Sequence, residues 1–190
     1  MTKVKSLIIL LIAVLGAYFI YYHFDNQKKE EVVIDKFSSE YNLVSENNIF
    51  RYSTIDEILD IFEEGTGIVF FCTPGSNWCN YYAKYLNEEL MDNNIDTIYY
   101  YNIRNDRALN TIKYQKILTI LDQYIYKDDT YNSKIYMPDL TIVKDGQIIA
   151  HDNETSLVAS DIEDSAYWTQ DKINEFKNKI TSYAMLLNEE

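Results

Sequence analysis

Ile68-Val69-Phe70-Phe71 is an unbroken apolar run of the length of one buried strand. Pro74-Gly75 interrupts it, and Ser76 then suits a helix start, because its hydroxyl can accept from an amide of the first turn. Trp78, Tyr82, Tyr85, Leu86 and Leu90 follow at helical spacing, with Lys84, Asn87 and Glu88 between them. Upstream, residues 49–52 predict a first strand. Thr54-Ile55-Asp56-Glu57 is a capping-box pattern. Ile55, Ile58, Leu59 and Phe62 share one helical face, and Gly65 falls at the helix end, where a left-handed residue is wanted. Downstream, Ile98-Tyr99-Tyr100-Tyr101 predicts a strand within residues 96–103, residues 109–124 a helix, and residues 126–134 a polar loop. Leu140 to Val143 is a further apolar run. Asp145-Gly146 is a hairpin-turn signal between it and the return strand at 148–150. Residues 151–168 read as irregular and acidic. Thr169 can cap a last helix at 172–187, in which Ile173, Phe176, Ile180, Tyr183 and Leu187 keep the helical spacing.

The predicted order is strand, helix, strand, helix, strand, helix, strand, strand, helix. Strand–helix–strand units favour parallel neighbours, and the Asp145-Gly146 hairpin adds an antiparallel edge. The fold class is therefore α/β: a mixed central sheet flanked by helices.

The N-terminus departs from this pattern. Lys3 and Lys5 precede an uncharged apolar run from Leu7 to Tyr22, somewhat shorter than the ~20 residues of a typical span. Ser6 and His23-Phe24 extend it into the interfaces, and Tyr18, Phe19, Tyr21 and Tyr22 crowd its outer end as an aromatic belt. Two readings stay open, an uncleaved single-pass anchor and a cleaved signal peptide. The absence of a small-x-small site after the run favours the anchor. With the lysines inside, the rest of the chain lies outside the cytoplasm, at the cell membrane. The chain then divides into an anchor at 1–24, a polar spacer at 25–48 with a short helix near 31–37, and a globular domain at 49–187.

Among 190 residues the formal net charge is -13, which argues against nucleic acid as a partner, since phosphate is repelled. The 18 tyrosines demand polar partners or solvent for many ring tips. His23 and His151 are far apart, with no metal-ligand spacing, and no cofactor is implied. The two cysteines, Cys72 and Cys79, flank the central loop. Cys72 ends a buried strand and reads as packing. Cys79, in a first helical turn, is pulled toward thiolate by the helix end and away from it by burial. With one cysteine on a strand and the other on a helix, nothing requires them to face each other, and the expectation is two free thiols.

A buried strand feeding a helix with a cysteine in its first turn resembles the thioredoxin superfamily. Ser76-Asn77-Trp78-Cys79 stands where that family carries its Cys-x-x-Cys motif, with Ser76 at the first position. A rival register starts the motif at Trp78-Cys79 and puts Tyr82 at the second cysteine position. Met137-Pro138-Asp139-Leu140-Thr141-Ile142-Val143-Lys144-Asp145-Gly146 resembles the family's cis-proline loop, strand and turn. The closest variety is similar to membrane-anchored thioredoxin-like and bacteriocin transport accessory proteins of Gram-positive bacteria.

The resemblance implies a thioredoxin-like fold, with Met137-Pro138 cis and beside Ser76 and Cys79. It also implies thiol–disulfide handling of a secreted protein or peptide, with Cys79, Ser76 and Pro138 as site residues and Cys72, Trp78 and Met137 as further candidates. A hydroxyl at position 76 cannot act as the attacking thiolate. The alternative is therefore a redox-inactive module that binds a partner during peptide export or folding. Nothing in the sequence sets an oligomeric state.

Overall fold

The computed structural model describes residues 36–127, 133–158 and 162–189. The apolar run at 7–22 lies outside them, and among the described residues no helix is long and apolar enough to cross a membrane. The strands are β1 (Phe50–Tyr52), β2 (Gly67–Phe71), β3 (Ile98–Tyr101), β4 (Asp139–Lys144) and β5 (Gln147–Asp152). The helices are α1 (Ile55–Glu64), α2 (Asn77–Asp92), α3 (Arg104–Leu109), α4 (Ile112–Ile120), α5 (Asp164–Tyr167) and α6 (Gln170–Asn188), with a 3-10 turn at Glu154–Leu157. The strands form one mixed sheet in the order β1-β3-β2-β4-β5. β3 is parallel to both β1 and β2, while β4 is antiparallel to β2 and to β5.

Side-chain alternation along β2 sends its residues into two cores. Ile68 and Phe70 enter a core with α2 and α6 residues such as Tyr82, Leu86, Phe176 and Ile180. Val69 and Phe71 enter one with Ile58 and Phe62 of α1 and Ile117 of α4. Within the stretch read as a polar spacer, Phe37, Tyr41 and Val44 are buried in the first core. Phe37 stacks on Phe50 at 3.9 Å between ring centroids, and the Tyr41 and Tyr100 hydroxyls are 2.9 Å apart. Residues 36–40 are helical; of the helix expected near 31–37, residues 31–35 lie outside the described residues.

The local signals behave as their chemistry requires. Both halves of the capping box form: the Glu57 amide donates to Thr54 Oγ1 at 3.2 Å, and the Thr54 amide to Glu57 Oε2 at 2.7 Å. Thr169 Oγ1 accepts from the Lys172 amide at 3.3 Å, starting α6 slightly earlier than its apolar pattern. The helix expected over 109–124 is shorter, α4 at Ile112–Ile120, and a separate helix, α3, precedes it at Arg104–Leu109. Asn110 takes a left-handed conformation (φ 49°) that ends α3, and Thr111 caps α4 through the Tyr114 amide. Asn tolerates that conformation, so it can stop a helix where a glycine would otherwise be needed. Gly65 ends α1 in an extended rather than left-handed conformation (φ -90°). A glycine is needed there for space, since a Cβ would lie 2.8 Å from the Ile61 Cα. The stretch read as irregular, 151–168, carries the end of β5, the 3-10 turn and α5.

The hairpin turn has positive φ at both central residues, Asp145 (49°) and Gly146 (72°), the type I′ pattern that suits twisted strands. The Gly146 amide donates to the Gly65 carbonyl at 2.8 Å, and a Cβ at 146 would lie 2.5 Å from the Glu63 carbonyl oxygen. Gly146→Ala is therefore expected to destabilise the fold by about 1–2 kcal/mol, the cost of a left-handed conformation for a residue with a Cβ. A urea midpoint equal to that of the unsubstituted chain would contradict this.

Candidate functional site

β2 ends at Phe71, and Cys72 follows it directly. Thr73 to Ser76 form the loop, and Gly75 (φ 81°) makes its bend, with open space around it. Ser76 is the N-cap of α2: its Oγ accepts from the Cys79 amide at 3.3 Å and its carbonyl from the Asn80 amide at 3.0 Å. The cap role expected for Ser76 is the one it performs.

Cys72 and Cys79 are not free thiols. They form a disulfide across the loop, with their Cα atoms 5.9 Å apart, and both residues are fully buried. The expectation of an unpaired state fails because the loop turns back on itself. The turn at Pro74-Gly75 brings the first turn of α2 alongside the end of β2, inside the ~7 Å that a bridge allows. In this oxidised state neither sulfur is a nucleophile, and both lack access to a solvent thiol.

Trp78 is half-buried, with its ring 5.3 Å from that of Tyr167 on α5. Tyr82, the second position of the rival register, is in the first core rather than at the loop. It stacks on Phe70, and its hydroxyl donates to Asp152 Oδ2 at 2.7 Å. Burial, then the Asp152 carboxylate, pushes its phenol well above the ordinary tyrosine range. Lys179 donates to Asp152 Oδ1 at 2.7 Å and to Glu154 Oε2 at 3.0 Å, so one buried carboxylate ties α2, β5 and α6 together. Burial works against the Lys179 charge, but these carboxylates outweigh it and raise its pKa.

Met137-Pro138 is cis, as expected. The last β2–β4 pair is Phe71 with Asp139. Pro138 thus immediately precedes the β4 residue that pairs with the end of β2, and Cys72 immediately follows that end. Met137 is half-buried against both cores.

Asp139 was not singled out from the sequence. It is fully buried, and its Oδ2 lies 3.1 Å from His151 Nε2 on β5. Its Oδ1 has no partner among the described residues, and neither does the buried Thr141 hydroxyl. Burial raises the Asp139 carboxyl pKa, against the opposing pull of His151. An acidic residue opening an otherwise apolar strand was the available signal. The partner was not available, because it is set by the register that pairs Thr141 with His151 across the hairpin.

No family model and no curated protein matches the chain.

Proposed function

We propose that this chain is a thioredoxin-like domain, held at the outer face of the cell membrane by residues 1–24, that binds a secreted protein or peptide rather than turning over disulfides as a dithiol enzyme. The observation that carries the reading is the buried Cys72–Cys79 bridge, with a serine hydroxyl rather than a thiol at the start of α2. An exchange enzyme needs a sulfur that a substrate thiolate or disulfide can reach, and both sulfurs of this bridge are buried. A persistent disulfide suits an oxidising compartment, in keeping with an extracytoplasmic domain. The strand order and the cis Met137-Pro138 bond at the start of β4 support the thioredoxin-like part of the reading.

The purified full-length chain is expected to reduce insulin no faster than dithiothreitol alone. It is also expected to take up a thiol-alkylating reagent only after unfolding and reduction. Turnover at the rate of an ordinary dithiol enzyme would overturn the binding reading in favour of thiol–disulfide exchange through Cys79. The anchor has its own test. Carbonate washing of membranes is expected to leave the full-length chain in the pellet, and its release would sink the membrane assignment.

A further inference from the structure

A cleft of about 740 Å³ opens between α3, α4 and residues 133–134. Its size is that of a small-ligand site. Its apolar floor is Leu118 and the Tyr114 ring, and its polar wall holds Arg107, Asp122, Ser133 and Lys134. The charges in and around it are unevenly matched. Lys113 and Lys116 on α4 are paired with Asp56 and Glu63. Asp122 is taken up by Lys127 at 2.8 Å and Ser133 at 3.0 Å. Asp106 accepts from Tyr101 and Thr111. Arg107 and Lys134 have no carboxylate partner among the described residues: Arg107 donates to the Ile135 carbonyl at 2.9 Å, and Lys134 lies over the Tyr136 ring at 5.5 Å. In a chain of net charge -13, this cleft is lined by two cations without a carboxylate partner and by one carboxylate, Asp122, that is already paired.

We propose that this cleft binds an acidic peptide, with Arg107 and Lys134 receiving carboxylates and the Leu118 and Tyr114 side chains receiving an apolar one. A guanidinium meets a carboxylate in a charge-assisted pair, and the adjoining apolar surface distinguishes a peptide from a bare anion. The cleft residues also hold the segment that leads into β4. Ile135 is held at its carbonyl by Arg107 and at its amide by the Tyr114 hydroxyl, 3.4 Å away. The assignment stands apart from the redox state of Cys72 and Cys79, so its failure and theirs are separable.

The probe is N-acetyl-Glu-Leu-Glu with a free C-terminus, titrated calorimetrically into the full-length chain. Binding is expected, weakening as salt is raised. Arg107→Gln is expected to weaken it about tenfold, the scale of one lost charge-assisted hydrogen bond. Lys134→Gln, an exposed change that spares the fold, is expected to weaken it less but measurably. Binding of N-acetyl-Lys-Leu-Lys-amide equal to that of the acidic probe would overturn the proposal, as would absence of binding by the unsubstituted chain. Equal affinities across both variants would do the same. Succinate or inorganic phosphate binding as tightly as the peptide would show a small-anion site and overturn the peptide assignment.

Discussion

Reducing the Cys72–Cys79 bridge is expected to lower the stability of the domain by about 2–3 kcal/mol. That is the chain-entropy value for a loop closed over a sequence separation of 7. Because a domain's whole stability is only about 5–15 kcal/mol, the loss is large. At about 2–4 °C per kcal/mol for a domain of this size, the thermal midpoint falls by about 5–10 °C. The pair Cys72→Ala/Cys79→Ala should show at least as great a fall, since it also removes two buried sulfurs from the first core. Urea unfolding of the full-length chain with and without reductant measures the first effect. An unchanged midpoint would mean that the bridge does not hold the end of β2 to α2. Reduction of the folded chain is itself expected to be slow, because both cysteines are fully buried and a reductant must wait for the loop to open.

The second large effect is a gain. The pair Cys72→Ser/Ser76→Cys is expected to reduce insulin, with dithiothreitol as the terminal reductant, at least about tenfold faster than the unsubstituted chain. Ser76 already occupies the N-cap of α2, where the helix end favours a thiolate. Its Oγ lies 3.3 Å from the amide of Cys79, the residue that would resolve the mixed disulfide. Removing the Cys72 thiol frees Cys79 for that step. The electrons balance: two thiols become a 76–79 disulfide as one insulin disulfide becomes two thiols, and dithiothreitol restores the pair. The substitution loses the serine cap, about 1 kcal/mol, together with the native bridge, so circular dichroism must first show an intact fold. A folded variant with no gain would mean that the loop lacks the geometry of a redox motif. That result would count against the thioredoxin-like reading as a whole.

What the sequence determined by itself were the caps, the turn and the strands. The Thr54–Glu57 box, the Ser76 and Thr169 caps and the Asp145-Gly146 turn each join residues no more than a few positions apart. Their geometry therefore follows from local bonding. The strands followed from apolar runs, because burial on the sheet leaves few other residues possible. The break at Asn110 escaped because apolar spacing continues across it, and one left-handed residue is a conformational choice that periodicity does not record.

The site needed the tertiary structure. Cys72 ends a strand and Cys79 lies in a helix, and only the reversal at Pro74-Gly75 brings their Cα atoms to 5.9 Å. Asp139 meets His151 only through the hairpin register, and Asp152 meets Tyr82 and Lys179 only where the end of β5 reaches α2 and α6. The burial of Phe37 and Tyr41, from a stretch that reads as polar, likewise depends on their packing against Phe50 and Tyr100. Each of these contacts spans a chain separation over which the sequence pattern carries no distance, so packing and strand register decide it.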